Sequence, residues 1–309
     1  MHGLQLSNFR AEDEDCVRRL VESIWGHDPT FHEIYGFHGA PIDEPLRRTQ
    51  VARQDGELVG VGTVSLGLRH PLRLWLAVHV RTDLRRRGVG TELLLALRRS
   101  AGDSRGFRVT ADLADEASVG FLRARGFELL NRCHEGWIDP QDTQLVAQVH
   151  SLASAVPEVT VDRPVRVGRA ELHQAADFFG RWYEDTHRWD EPERWLLDAA
   201  LAHFCDASLV EDSLVFAHDE DKLIGAAALL LPPVGERTHL YLNQLGTLDI
   251  ESHRMPAVGA ALLEPTLQYA RDQNSRIAFE IDESNTSLWR VIEQLPIPPT
   301  RIIGNYAEL

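Results

Sequence analysis

The run Arg85-Arg86-Arg87-Gly88-Val89-Gly90-Thr91 combines residue types at a spacing that can hold a phosphate chain. It follows the apolar segment Leu74-Trp75-Leu76-Ala77-Val78-His79-Val80 and precedes Leu93, Leu94 and Leu97 at helical intervals. A strand, a glycine loop and a helix start are therefore expected in that order. Glycines at 88 and 90 leave backbone N–H groups open to close approach, and the helix start adds partial positive charge. A pyrophosphate is the expected guest, with Arg85 to Arg87 supplying local charge. A Walker A loop is excluded because no lysine follows the glycines. A dinucleotide fingerprint is excluded because it needs three glycines close to a first strand.

Local charge matters because the whole chain is acidic, with 32 basic and 47 acidic residues and a net charge of −15. A polyphosphate such as DNA is repelled on balance, so no nucleic-acid partner is expected. The longest apolar stretch, near Ile224 to Pro233, falls short of the roughly 18 to 20 residues a bilayer span needs. Met1-His2-Gly3-Leu4 opens no signal peptide, and the expected location is the cytoplasm, with no membrane partner. Cys16, Cys133 and Cys205 are scattered without a CxxC spacing, which fits a reducing compartment. His27, Asp28 and His32 lack evident further ligands, so no metal is assigned.

At 309 residues the chain is long enough for two domains, and an internal repeat organises it. Two hairpin patterns, Val51 to Gly60 and Val215 to Gly225, each have a polar turn. Arg85-Arg86-Arg87-Gly88-Val89-Gly90 follows the first, and Arg254-Met255-Pro256-Ala257-Val258-Gly259 follows the second. Upstream lie Arg10-Ala11-Glu12 and Arg169-Ala170-Glu171, each opening a helical stretch after alternating residues in Leu4 to Leu6 and Val165 to Val167. After each loop come helical leucines, a β-type run (Phe107 to Leu113, Ile277 to Ile281) and a short helix. The order of parts implies a tandem duplication joined by a proline-containing connection.

With the hairpin before the Arg-x-x-Gly-x-Gly loop and Arg125-Gly126-Phe127 after it, residues 3 to about 138 resemble the GNAT (GCN5-related N-acetyltransferase) family. Residues 163 to 309 look like a second, divergent copy. The resemblance implies an α/β chain of two tandem GNAT folds, each a splayed mixed sheet flanked by helices. The implied boundaries are 1–140 for the copy with the intact loop, 141–162 for a linker and 163–309 for the divergent copy. Acyl-CoA is expected in the splay between fourth and fifth strands. Pantetheine falls on Val78, His79 and Val80, and the pyrophosphate on Arg85, Arg86, Arg87, Gly88, Val89, Gly90 and Thr91. The family's usual asparagine before the last helix is Asp115 here, counted with the cofactor residues. Its usual tyrosine acid is Leu122.

The second copy reverses the losses. Proline and alanine crowd its loop, but Asn285 holds the asparagine position, with Glu280 five places before it and Ile292 at the tyrosine place. His79 and Glu280 are the candidate catalytic bases, because an amine must lose a proton to attack a thioester; a histidine so placed is more often structural, and the alternative for Glu280 is a surface carboxylate at a strand edge. Trp25, Asp28 and Tyr35 in the first copy, and Tyr241 and Asn243 in the second, are candidate substrate contacts, aromatics beside carboxylates suiting a cationic amine. The leading expectation is direct transfer of an acetyl group from acetyl-CoA, bound in the first copy, to a small-molecule amine. One alternative is a non-catalytic protein that binds acyl-CoA or a small molecule. Another, like mycothiol synthase in general plan, places the active site in the C-terminal half.

Overall fold

The computed structural model describes residues 3–25, 47–67, 70–102, 105–164, 166–194, 209–231 and 239–308, apart from the side chains of Trp25 and Asn243. The chain divides into two compact units. One holds Met1–Thr110, Gly126–Glu128 and Tyr306–Leu309; the other holds Ala111–Arg125 and Leu129–Asn305.

In the first unit, strands β1 (Leu4–Asn8), β2 (Arg47–Gln54), β3 (Glu57–Leu66), β4 (Leu74–Val80) and β5 (Phe107–Asp112) lie in that order. Helices α1 (Glu14–Trp25) and α2 (Val89–Ala101) cover opposite faces. Val51 and Val61 pack with Val17, Leu20 and Val21 of α1, while Ala52 and Val59 pack with Val89 and Leu93 of α2; Val59 faces away from Val61, two places on, because the β2–β3 ladder shifts register at Ala52/Arg53. The β2–β3 turn takes positive φ at both Asp55 (52°) and Gly56 (86°), the twist a tight hairpin prefers. Gly60 lets α2 lie directly on the sheet, since a Cβ there would stand 3.0 Å from Leu93 Cδ1.

The second unit has strand order β12-β6-β11-β10-β9-β8-β7. These are β6 (Phe127–Ile138), β7 (Val159–Asp162), β8 (Val215–Asp219), β9 (Lys222–Leu230), β10 (His239–Thr247), β11 (Arg276–Asp282) and β12 (Arg301–Glu308). Its helices are α3 (Glu116–Arg123), α4 (Thr143–Ala153), α5 (Arg169–Thr186), α6 (Met255–Asp272) and α7 (Thr286–Ile292). Its main core joins α4, α6 and α7 to one face of the sheet through Val149, Leu263, Leu267, Val291 and Phe279. Phe178, Phe179 and Trp182 of α5 cover the other face.

The duplication is visible in the backbone itself. Both hairpins shift register at the same place, Ala52/Arg53 and Ala217/His218. Gly60 stands opposite Val80, and Gly225 opposite Thr247. The Arg81 N–H donates to the Val59 carbonyl at 2.9 Å, and the Leu248 N–H donates to the Ile224 carbonyl at 2.9 Å. Val78 and Val80 therefore correspond to Leu245 and Thr247.

Two features differ from the sequence expectation. The described strand opening the second copy is Val159–Asp162, paired with β8; of the expected Val165 to Val167, Val165 lies outside the described residues. Pro164 has no N–H for a ladder, so pairing ends before it. The strand that closes the first half of the sequence, β6, pairs antiparallel with β11, from Ile138 opposite Ile277 to Cys133 opposite Asp282.

Candidate functional site

In the first unit, β4 and β5 pair only at Leu74 with Phe107 and Trp75 with Arg108, although β4 runs on to Val80. The direction of the main-chain groups past that point follows from alternation. The Leu74 N–H donates to the Gly106 carbonyl on the β5 side, while the Arg81 N–H turns the other way, to Val59. The N–H and C=O groups of Val78 and Val80 share the direction of Leu74, toward the edge beyond the last paired residues. A ligand carrying amides can add there as a strand would.

The chain then enters the loop. Arg86 is held at φ 62° and Gly88 at φ 84°, the left-handed turn that brings α2 in at Val89. Gly88 is the N-cap of α2 and, having no side chain, provides no capping hydrogen bond of its own. Arg86 and Arg87 are exposed and Arg85 is partly buried, its Nε 3.4 Å from the Val80 carbonyl. The edge, the glycine-capped helix start and the arginines fit an acyl-CoA, pantetheine on the edge and pyrophosphate on the helix start. His79 is buried at 7% exposure, on the same face as Val61 and α1, and so opposite the helix that starts at the loop.

In the second unit, Tyr241 of β10 donates its hydroxyl to Glu280 Oε2 of β11 at 2.7 Å, and Cys133 Sγ of β6 lies 3.5 Å from Glu280 Oε1. Packed surroundings push the Glu280 carboxyl above its ordinary range; the Tyr241 hydrogen bond opposes this, and the Asp282 charge adds to it. The same desolvation pushes the Tyr241 phenol and the Cys133 thiol well up, so both stay protonated donors to Glu280. His187, just past α5, reaches Asp282 at 3.2 Å.

The edge of β10 differs from that of β4. Here two of the groups corresponding to those of Val78 and Val80, the Leu245 carbonyl and the Thr247 N–H, are bonded to side chains of the last helix and its cap. Asn285 Nδ2 donates to the Leu245 carbonyl at 3.3 Å, and Ser287 Oγ accepts the Thr247 N–H at 3.2 Å and bonds its hydroxyl at 2.6 Å.

Of the expected site residues, Val78, His79, Val80 and Arg85 to Thr91 come together in the first unit, and Tyr241 and Glu280 in the second. Asp115 is the N-cap of α3, its carboxylate accepting from the N–H groups of Ala117 and Ser118. Asp28 and Tyr35 lie outside the described residues, as do the side chains of Trp25 and Asn243; the Asn243 backbone falls where β10 shifts register between Tyr241 and Gln244. Ser287 was not singled out by sequence, and Cys133 was read only as a free thiol; the contrast of Asn285-x-Ser287 with Asp115-x-Ala117 was the available signal for Ser287. Among the described residues, no cluster of His, Cys, Asp and Glu can hold a metal, and no helix is long and apolar enough to cross a membrane.

Residues 11–127 match the model of the Acetyltransferase (GNAT) family. This segment, less than half of the chain, is similar to a GNAT acetyltransferase domain. That family's chemistry is acyl-CoA-dependent acetyl transfer. The fold of the chain is shared with solved GNAT proteins. A GCN5-related N-acetyltransferase from Sphaerobacter thermophilus aligns with TM-score 0.66 at 13% identity, over 98% of this chain and 95% of that one. A tandem GNAT protein from the clavulanic acid biosynthesis pathway aligns with TM-score 0.59 at 15% identity, over 98% of both chains. A GCN5-related glucosamine N-acetyltransferase region of a fungal multi-domain GH3 β-N-acetylglucosaminidase aligns with TM-score 0.71 at 15% identity; the match spans 98% of this chain and 38% of that one. No curated protein sequence matches significantly.

Proposed function

We propose that the protein is an acetyl-CoA-dependent N-acetyltransferase that acetylates the amine of a small molecule by direct transfer, with acyl-CoA held in the repeat of residues 1–140. The observation that carries this reading is the early parting of β4 from β5 beside the glycine-capped, arginine-rich start of α2. The co-substrate supplies an activated thioester. Val78 and Val80 hold its pantetheine through main-chain groups, while Arg85, Arg86, Arg87 and the first-turn N–H groups of Val89, Gly90 and Thr91 hold its phosphates. The Val80 N–H is the candidate oxyanion donor. His79, on β4 of the same unit, is the proposed base for the incoming amine. The test is thiol release from acetyl-CoA with a set of amines: amine-dependent release that Gly88→Trp abolishes supports the reading, and release unaffected by Gly88→Trp overturns it.

A second reading, a protein that binds acyl-CoA without turnover, is favoured by one observation. Leu122 and Ile292, at the places of the family's tyrosine acid, are buried apolar side chains with no proton to give. Acetyl-CoA binding without thiol release for any amine would select it. The third reading, an active site in the second repeat, draws on the Tyr241–Glu280 pair.

A further inference from the structure

We infer that the second repeat's cleft is closed to acyl-CoA by its own last helix, so that the chain takes up a single acyl-CoA. The single-site conclusion rests on the proposed function of the first unit; the closure does not. Leu245 and Thr247 correspond, hydrogen bond for hydrogen bond, to Val78 and Val80. Two of their edge-facing groups, the Leu245 carbonyl and the Thr247 N–H, are ones a pantetheine arm would need, and the chain has already used them.

The chemistry of the latch is specific. Asn285 has both an acceptor and a donor: its Oδ1 caps α7 through the Leu288 N–H at 3.3 Å, and its Nδ2 bonds the Leu245 carbonyl. Ser287 meets Thr247 with both donor and acceptor capacity. All three side chains are buried, with Asn285 and Thr247 at 5% exposure and Ser287 at 3%, so an invading ligand must break these bonds without water to replace them. The first repeat has Asp115 and Ala117 at the matching places. An ionised carboxylate cannot donate to a carbonyl, and alanine has no hydroxyl, so this latch cannot be built from those residues.

The second repeat's loop is spent as well. Arg254, the counterpart of Arg85, bonds Asp219 at 2.7 Å and Glu158 at 2.8 Å, so its charge is neutralised. Pro256 removes an N–H from the first turn of α6. Gly259, the counterpart of Gly90, lies against α7: a Cβ there would meet Val291 Cγ2 at 2.7 Å and the Ser287 carbonyl at 3.2 Å. Helix α7 is thus packed against α6 at the start of its second turn.

The test is titration of the full chain with acetyl-CoA, read by native mass spectrometry and by residue-level amide exchange. The expected result is one equivalent, lost in Gly88→Trp, with the Val78 and Val80 amides slowing on addition. The Thr247 amide should be slow at the start and unchanged. A second equivalent, an equivalent that survives Gly88→Trp, or new protection at Thr247 would overturn the closure. Absence of any binding to the wild-type chain would leave the closure standing and sink the proposed function instead.

Discussion

The Tyr241 hydroxyl and the Glu280 carboxylate, 2.7 Å apart, tie β10 to β11 just where the two strands stop pairing. Paired positions end at Leu242 with Phe279, so Glu280 is the first residue past the ladder, and its other oxygen faces Cys133 of β6. One carboxyl thus links three strands by side chains at the point where backbone pairing between two of them has ended.

That position sets the pH response of the second unit. Desolvation raises the folded-state pKa of Glu280 above its ordinary value. A group shifted this way contributes most below its unfolded-state pKa, and the contribution is lost as pH rises through the folded value. Glu280→Gln removes the titration while keeping a hydrogen-bond acceptor for Tyr241. The melting temperature of the wild type, compared with Glu280→Gln, should therefore fall as pH is raised from the ordinary carboxyl range toward neutrality. A constant difference across that window would show that Glu280 does not titrate differently in the folded state.

The contact of β6 with β11 should be sensitive at Gly136, which stands opposite Phe279. A Cβ at 136 would lie 2.7 Å from Phe279 Cε1, and Phe279 is held in the main core of the unit. Gly136→Ala should therefore cost about 1–3 kcal/mol as the ring is forced off its packing, measured by urea denaturation. A neutral outcome would mean that the ring swings aside freely.

The first unit's loop and both hairpins were legible in the sequence because each is a local requirement. Positive φ at Gly56 and Gly88, and a strand face without Cβ at Gly60 and Gly225, leave glycine at fixed intervals from the leucines that pack there. The neighbour of β6 was not legible. Alternation tells which face of a strand is buried but not which strand lies beside it, so Cys133 gave no sign of standing near Glu280. Asn285 was found by its position before a short helix. That its amide turns inward to the Leu245 carbonyl depends on where β10 runs, which is set by pairing with β9 far from Asn285 in sequence.

Arg86 combines an exposed charge, which the proposed function assigns to phosphate, with an unfavourable backbone at φ 62°. The left-handed region costs a residue with a Cβ roughly 1–2 kcal/mol. Glycine gives back about 0.4–1 kcal/mol through a more flexible unfolded chain. Relief exceeds loss, so Arg86→Gly should melt no lower than the wild type. Its acetyl-CoA dissociation constant should still rise roughly tenfold or more, as a charge-assisted phosphate contact is lost. A lower melting temperature would show that Arg86 has structural bonds that outweigh its strain.

His79 is the sharpest test of the chemistry, because its backbone and its side chain have separate parts in the proposed function. The backbone belongs to the β4 edge strand and remains in any variant, so His79→Gln should leave acetyl-CoA binding within about twofold while removing the imidazole. If the imidazole takes the amine proton, kcat should fall by roughly 10²–10⁴-fold, and the ascending limb of the pH profile should disappear. A buried histidine with a purely structural role predicts the opposite pairing: a lower melting temperature and weaker acetyl-CoA binding, with the pH profile keeping its shape. Measuring the profile and the dissociation constant on the same preparation separates the two, since side-chain loss from the α1 face acts on packing and not on the ionisation that the profile reads.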